Sequence, residues 1–340
     1  MRRVAHVAGE IPGRERHRPP ATGHRPPATG HRPPALRALT APTTRVSGMT
    51  APPAPLVMGV VNVTPDSFSD GGRYDDPERA IAHGRELLAQ GADILDVGGE
   101  STRPGATRPL LAEELDRVVP VIEALAGDGA TVSVDTMRAE VAARAVDAGA
   151  RIVNDVSGGL ADPEILDVVA RTGATYVAMH WRAHSDRMQQ FTEYDDQGGV
   201  VAAVRAELAE RVAAIRAAGV RDEQVVLDPG LGFAKLAHHN WELLRRLDVL
   251  AGLGFPLLVG ASRKTFLGRL LEDAAGEPRP VGEREAAGVA LSGLLAAGLG
   301  GAAVWCLRVH DVRAHRDALA VAAQWGPAAD RAVAPERDGE

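Results

Sequence analysis

The sequence predicts a (β/α)8 barrel, the TIM barrel fold, with a disordered N-terminal extension. Between residues 55 and 325, short apolar runs alternate eight times with segments of helical periodicity. Runs that are apolar throughout are typical of parallel strands that helices cover on both faces. Eight such units in about 270 residues favour a closed barrel over an open sheet. The G-x-G-x-x-G pattern of dinucleotide-binding sheets follows none of these runs, and no P-loop pattern is complete.

The chain is predicted to contain three regions: a low-complexity tail over residues 1–54, the barrel over 55–325 and a second disordered tail over 326–340. The N-terminal tail repeats the heptapeptide HRPPATG between residues 17 and 35. Two prolines in each repeat exclude a helical coiled coil, and the proline-, glycine- and arginine-rich composition predicts disorder. Met49 precedes the linker to the barrel, so a mature protein that starts there is an alternative to one that starts at Met1.

Composition and charge exclude several functional classes. The first 50 residues carry nine arginines against two glutamates, whereas the whole chain has a net charge of −7. The barrel is therefore acidic, which argues against a general nucleic-acid-binding protein, and no apolar run reaches the roughly 18 residues of a membrane span. A single cysteine, Cys306, excludes a disulfide framework and a cysteine-rich zinc site. These features predict a cytoplasmic enzyme that binds anionic ligands through local cations or helix N-termini.

The first half of the barrel is predicted from four strands and their helices. The first strand is a valine-rich run that Pro65 terminates, and Pro77 suits the first turn of the next helix. The second strand leads into the polar loop ESTRPGATRP, and Asp162 starts the helix after the fourth strand. The predicted strands are 56–62, 92–99, 131–135 and 151–156. The predicted helices are 77–90, 112–125, 138–148 and one that begins at residue 162.

The second half contains four more units. One face of the helix over 199–218 is apolar, and Asn240 is predicted to be the N-cap of the helix over 241–250. The helix over 283–299 is apolar nearly all round after its first turn, so a second surface must cover it, and a two-fold homodimer is the predicted cover. The predicted strands are 174–180, 224–228, 256–261 and 302–309, and the last predicted helix is 311–324.

Polar residues collect at the predicted C-terminal ends of the strands, where barrel enzymes build their active sites. A single strand-end aspartate often only caps the next helix. So many polar side chains at one end of the barrel nevertheless predict a ligand-binding site. Asp135, Asn154 and Asp228 form one group, which suits a planar heterocycle with adjacent N–H donors.

A second polar group lies on the first and last strands, which become neighbours when the barrel closes. Asn62, Arg308 and His310 predict an anion site, with a divalent cation on Asn62. Ser262 and Lys264 follow the seventh strand and lie between the two groups.

Seven motifs, in this order, resemble the dihydropteroate synthase family: NVTPDSFSDGG, GGESTRPGA, SVDT, VNDVSG, LDPGLGF, GASRK and RVHDV. The similarity extends over about residues 56–322, and VAMHWR resembles the actinobacterial form. The resemblance implies a pterin-binding barrel that condenses 6-hydroxymethyl-7,8-dihydropterin pyrophosphate with 4-aminobenzoate, giving 7,8-dihydropteroate and pyrophosphate. It also implies Mg2+ as the cofactor, a homodimer, and an enzyme that sulfonamides target.

The resemblance implies roles for individual residues. The pterin would be held by Asp135, Asn154, Asp228 and Lys264. Pyrophosphate would be held by Asn62 with Mg2+, Arg308 and His310. The aminobenzoate would be framed by Phe68, Thr102, Pro104 and Ser262. Further substrate contacts would come from Met179, Phe233 and Val309. The residues expected to act in catalysis are Asn62, Lys264, Arg308 and His310.

Three alternatives stay open at this point. A pterin-dependent methyltransferase would share the pterin carboxylates, but not the two loops or the RVHD motif. A non-catalytic pterin-binding paralogue would not need Lys264, Arg308 and His310 intact. A phosphate-binding barrel isomerase would not need seven matched motifs. An assay of pyrophosphate release that requires both substrates separates these alternatives.

Overall fold

The computed structural model describes residues 54–64, 76–100, 108–184 and 187–325. The two predicted tails lie outside these residues, apart from residue 54, and so do segments 65–75 and 101–107. Three of the predicted aminobenzoate-binding residues therefore lie outside the described residues: Phe68, Thr102 and Pro104.

Eight parallel strands form one sheet, which curls into a barrel and confirms the predicted fold. The strands pair in chain order from β1 to β6, and β8 pairs with both β1 and β7. An isolated parallel bridge between Leu227 and Leu257 joins the two ends of the sheet. The strands are β1 (Leu56–Asn62), β2 (Ile94–Gly98), β3 (Val132–Asp135), β4 (Ile152–Asp155), β5 (Thr175–Met179), β6 (Val225–Asp228), β7 (Leu258–Val259) and β8 (Cys306–Val309).

Helices connect successive strands and cover the outside of the sheet, as parallel strands require. They are α1 (Asp76–Ala89), α2 (Leu111–Gly127), α3 (Ala139–Asp147), α4 (Glu164–Thr172), α5 (Val200–Ala217), α6 (Ala237–Arg245), α7 (Leu247–Ala251), α8 (Thr265–Leu270), α9 (Glu285–Ala296) and α10 (Val312–Trp325). The short helix α8 was not predicted from the sequence. Within the described ranges, no helix is both long and apolar enough to cross a membrane.

The interior of the barrel is filled at the end where the strands begin. A layer of side chains, each at most 7% exposed, packs there across the barrel axis: Met58, Ile94, Ile152, Val177, Val226, Leu258, Trp305 and Cys306. A larger apolar core lies between the sheet and the helices. Because the lower end is closed by packed side chains, the polar strand ends face a cavity that is open only at the opposite end.

Two strands are shorter than the apolar runs that predicted them. β7 contains only Leu258–Val259, and β8 begins at Cys306 rather than at residue 302. The two strands pair with each other only at these residues, which limits the ladder. Apolar residues continue beyond the paired residues of both strands, so apolar composition overestimated the length of β7 and of β8.

The prediction that Asn240 caps a helix is wrong. Helix α6 begins at Ala237, and its N-cap is Leu236. Asn240 lies inside the helix, 1% exposed, where its amide donates to the Leu236 carbonyl (2.8 Å) and accepts the Gly232 N–H (2.7 Å). The side chain therefore ties the turn that follows β6 to the next helix.

Candidate active site

A cavity of about 1060 Å3 lies at the C-terminal ends of the strands. The predicted site residues that line it are Asn62, Asp135, Asn154, Met179, Asp228, Phe233, Ser262, Lys264, Arg308 and His310. Val309 instead packs in the core between sheet and helices. Residues at or after the ends of seven strands thus meet at one place, because parallel strands bring their carboxyl ends to the same side.

Arg308 lies between two carboxylates on the wall of the cavity. Its Nε donates to Asp96 Oδ2 (2.6 Å), and one terminal nitrogen donates to Asp135 Oδ2 (2.7 Å). Burial opposes the charge of the guanidinium, but Asp96 and Asp135 raise the pKa of Arg308 above its usual value. Burial raises the pKa of Asp135 to about 7, against the opposing effect of Arg308. The guanidinium is held rigidly, and it retains N–H groups that can meet a ligand.

Asp96 is a structural partner that the sequence analysis missed. It is fully buried on β2 and accepts hydrogen bonds from both Arg308 and the Asn154 amide (3.0 Å). Burying a carboxylate inside the apolar run ILDVG without such partners would cost too much desolvation free energy. The presence of Asp96 in that run was therefore the sequence signal for a buried polar partner. By holding Asn154 and Arg308 together, Asp96 links the two predicted groups of site residues.

Asp228 and Lys264 lie on the β6–β7 side of the cavity. Asp228 Oδ1 accepts the Gly230 N–H at 2.7 Å, which leaves its second oxygen available to a ligand. Burial raises the pKa of Asp228, and nearby Lys264 opposes that shift. Burial lowers the pKa of Lys264 to about 8, and its ammonium donates to the Leu231 carbonyl and lies 4.8 Å from the centre of the Phe233 ring.

The turn after β6 depends on a glycine. Gly230 has a φ of +66°, in the left-handed region, and an added Cβ would collide with the carbonyl oxygen of His180. Only glycine fits this turn, which carries Leu231 and Phe233 to the cavity.

Lys235 is a second residue that the sequence analysis missed, although it is one of only two lysines in the chain. It lines the cavity, 4% exposed, and its amine bonds His180 Nδ1 (2.8 Å) and the Phe233 carbonyl (3.0 Å). The other nitrogen of His180 bonds Glu207 (2.8 Å). Burial lowers the pKa of Lys235 well below its ordinary value, and burial together with Lys235 lowers that of His180 to about 4. His180 is therefore neutral near pH 7, and its hydrogen bond with Lys235 supports the turn that carries Phe233.

His310 and Ser262 meet on the β7–β8 side of the cavity. His310 Nδ1 lies 2.9 Å from Ser262 Oγ, so Nε2 is the ring nitrogen left for a ligand. Burial, together with Arg263 and Arg308, lowers the pKa of His310 to about 3. An imidazole kept neutral among cations is ready to take up a proton when an anion arrives.

The cavity thus combines two kinds of recognition. Carboxylate and amide oxygens on β3, β4 and β6 can accept from a flat ring with neighbouring N–H donors. Cationic groups that follow β7 or lie on β8 can stabilise a polyanion, including negative charge that develops on a leaving group.

Comparisons with known proteins agree with this geometry. Residues 58–310 match the family described as pterin binding enzyme. The chain is 55% identical to the dihydropteroate synthase of Mycobacterium leprae over 270 residues, which cover 79% of this chain and 93% of that protein. It is 45% identical to Xanthomonas albilineans dihydropteroate synthase solved with 4-aminobenzoic acid, with a TM-score of 0.71 and coverage of 81% and 94%. The same enzyme solved with 7,8-dihydropteroate shares 42% identity, with a TM-score of 0.68 and coverage of 81% and 95%.

Proposed function

This chain belongs to the dihydropteroate synthase family of pterin-binding enzymes, and we infer that it condenses 6-hydroxymethyl-7,8-dihydropterin pyrophosphate with 4-aminobenzoate. The arylamine nitrogen forms a bond to the methylene carbon of the pterin, the bond from that carbon to the pyrophosphate oxygen breaks, and the nitrogen releases a proton. The products are 7,8-dihydropteroate and pyrophosphate, so the chain is a transferase. Related enzymes solved with 4-aminobenzoic acid and with 7,8-dihydropteroate support this reaction.

The observation that carries the proposal is the set of acceptors on β3, β4 and β6 beside the half-buried Lys264. Asp135, Asn154 and Asp228 converge on one cavity, where they would hold the pterin amino group and ring N–H groups. Lys264 would donate to the acceptor atoms of the same ring. The pterin would then lie deep in the barrel, with its methylene group directed towards the open end.

Arg308 and His310 would bind the pyrophosphate. One terminal nitrogen of Arg308 makes no hydrogen bond to any residue that the structure describes. His310 Nε2 likewise makes no hydrogen bond to any described residue. Positive groups placed where the leaving group gains charge lower the barrier to its departure. The electron-rich pterin can stabilise the methylene cation that remains, so the weakly nucleophilic arylamine needs no strong base.

The end of β1 fits a magnesium ion that arrives with the pyrophosphate. Mg2+ is usually held by one or two protein oxygens together with substrate phosphates and water. Among the described residues, no group of three His, Cys, Asp or Glu side chains could hold a metal without help. Asn62 lines the cavity, and its amide oxygen is the expected ligand. When bound, the ion would neutralise charge on the departing oxygen. Asn62→Ala should weaken pyrophosphate binding in the presence of Mg2+ and leave binding in its absence unchanged.

A homodimer through α9 and α10 is the expected assembly. Ala290 and Leu294 on α9 are exposed, as is Ala297 directly after it, and on α10 Val321 and Trp325 are 67% and 84% exposed. The two helices pack against each other, so both carry exposed apolar side chains on neighbouring parts of the surface. Covering such a surface with a second copy is a common solution in soluble proteins.

The function is tested by measuring pyrophosphate release. Release should require both the pterin pyrophosphate and 4-aminobenzoate, and the organic product should be 7,8-dihydropteroate by mass. Release without the arylamine would indicate a hydrolase. Tight pterin binding without any release would favour the non-catalytic paralogue, and methyl transfer to or from a pterin substrate would favour the methyltransferase.

A further inference from the structure

Glu285 lies behind the wall of the cavity, at the start of α9, and joins three segments of the chain. Its Oε2 accepts Arg263 Nε (2.7 Å), and its Oε1 lies 3.0 Å from His315 Nε2 and 3.3 Å from Ser262 Oγ. Burial would raise the pKa of Glu285, but the hydrogen bonds from His315 and Arg263 lower it to about 2. Glu285 is therefore ionised near pH 7, although it does not line the cavity.

Ser262 connects this carboxylate to His310. A serine hydroxyl donates one hydrogen bond, so Ser262 donates to only one of its two neighbours at a time. When His310 is neutral, the hydroxyl can donate to Nδ1 at 2.9 Å, and Nε2 carries the ring proton. When His310 is protonated, its Nδ1–H must donate to Ser262 Oγ, and the hydroxyl turns to Glu285 Oε1 at 3.3 Å.

We propose that Glu285 is a positioning residue which, through Ser262, satisfies the imidazolium form of His310 while a pyrophosphate anion is bound. The proposal rests on the function inferred above, and it identifies the group that supports His310 from outside the cavity. No proton passes to Glu285. The serine hydroxyl only changes the partner to which it donates.

The charges around His310 explain why such support is needed. Arg263, Arg308 and Lys264 disfavour a positive charge on His310, and Glu285 is the acidic group that favours it. A bound pyrophosphate would reverse the local balance and favour the imidazolium form. The imidazolium ring donates from both nitrogens, so its Nδ1–H needs an acceptor. Ser262 Oγ can accept it, because the serine hydroxyl then donates its own proton to Glu285 in a hydrogen bond.

The geometry does not fit a hydrolytic triad. In such a triad the carboxylate orients the histidine, whose other nitrogen activates the serine. Here the carboxylate contacts the serine rather than His310, and Ser262 lies between them. The carboxylate also holds Arg263, which has a φ of +60° that is unfavourable for a residue other than glycine. Glu285 thus orients the segment that carries Ser262.

Glu285→Gln provides the first test. A glutamine cannot accept from Arg263 at one atom and from Ser262 and His315 at the other, because one of those atoms is an NH2 donor. The matched control is Glu283→Gln, at an exposed position two residues earlier, where the side chain makes no hydrogen bond to any residue that the structure describes.

Calorimetry with inorganic pyrophosphate, without divalent cation and in two buffers of different ionisation enthalpy, measures both the affinity and the protons taken up. Wild type and Glu283→Gln should take up the same number of protons. Glu285→Gln should take up fewer, and it should bind pyrophosphate about tenfold more weakly. Unchanged affinity and unchanged proton uptake in folded Glu285→Gln would overturn the proposal.

Ser262→Ala separates the relay from a structural role of Glu285. It interrupts the connection to His310 but retains the contacts of Glu285 with Arg263 and His315. It should reduce proton uptake as much as Glu285→Gln does, and the double variant should lose no more than either single variant. Normal proton uptake in Ser262→Ala would refute the relay even if Glu285→Gln fails to fold. Since no pterin or arylamine is present, these results do not depend on synthase activity, whose absence would refute the proposed function alone.

Discussion

The replacement of Asp228 by asparagine tests the pterin site most directly. Asp228 is 5% exposed at the end of β6, and one of its oxygens already accepts the Gly230 N–H. The substitution preserves the shape of the side chain. It removes the negative charge, and it turns one oxygen into an NH2 group. If the amide oxygen keeps the bond to Gly230, the NH2 group faces the N–H donors of the pterin, and at least one charge-assisted hydrogen bond is lost.

The magnitude follows from the bond that is lost. A hydrogen bond to a charged group contributes about 1.5–3 kcal/mol. Since each 1.4 kcal/mol changes a dissociation constant about tenfold, the pterin should bind roughly 10- to 150-fold more weakly to Asp228→Asn. The loss of a negative charge beside Lys264 would also disfavour the ammonium form of that lysine, which adds to the effect.

Calorimetry of 6-hydroxymethylpterin binding, with thermal melting to verify folding, measures this loss. The matched control is Asp222→Asn, which changes a surface carboxylate just before β6 that pairs with Arg216 (2.6 Å). The control should bind pterin as wild type does. If the affinity of folded Asp228→Asn lies within twofold of the wild-type value, Asp228 does not accept from the pterin, and the assignment of the acceptor set is wrong.

Four further predictions concern stability, assembly, the tail and the order of binding. The free energy of unfolding lost in His180→Gln should be largest above pH 6.5 and shrink towards pH 4. Burial lowers the pKa of His180 to about 4, so the neutral side chain contributes its full stabilisation above the pKa of the unfolded chain and loses it as the pH falls towards 4. Urea denaturation that shows the same difference at every pH would contradict this. Ala290→Arg on the exposed face of α9 should give monomers or aggregates in light scattering, while the control Ala213→Arg on α5 should behave as the wild-type protein does. If the wild-type protein is itself monomeric at micromolar concentration, the dimer is excluded. A chain that begins at Met49 should retain full activity and melting temperature, because the family match starts only at residue 58; much weaker catalysis would assign the tail a role. Sulfonamides, which mimic the arylamine, should bind only after pyrophosphate, and tight calorimetric binding to the free enzyme would show that their pocket is already formed.

The barrel could be predicted because each strand is buried on both faces, so its apolar run is visible in the sequence. β1 was predicted at residues 56–62, as observed. Strand ends were less accurate where apolar residues extend beyond the ladder, as around β7, since pairing with a neighbour rather than composition decides where a strand ends. Asn240 was misread because an asparagine before a helical pattern resembles a cap, while here it lies inside the helix and accepts from Gly232 in the preceding turn.

The site residues at strand ends were visible for the same topological reason. Asp96, Lys235 and Glu285 were not selected, because their importance lies in what they contact. Asp96 contacts Arg308 across 212 positions of the chain, and Lys235 contacts His180 across 55. The order of residues along one chain does not reveal such pairs. A buried charge within an apolar run indicates that a partner exists but not which residue it is.

The layer of packed side chains that includes Met58 and Cys306 closes one end of the barrel, so the cavity opens at the other end. Ligands must therefore bind and leave in a fixed order: the one that binds deepest enters first and leaves last. If the pterin occupies the bottom, 4-aminobenzoate can join only from above, and 4-aminobenzoate bound first would block the entrance. Pyrophosphate, nearer the rim, can depart while the newly joined product is still held, and the product then leaves as one piece with its benzoate end foremost. Turnover would therefore be limited by how quickly product leaves the open end of the cavity. A compound bound only at that end would inhibit by preventing the release of the pterin ligand beneath it.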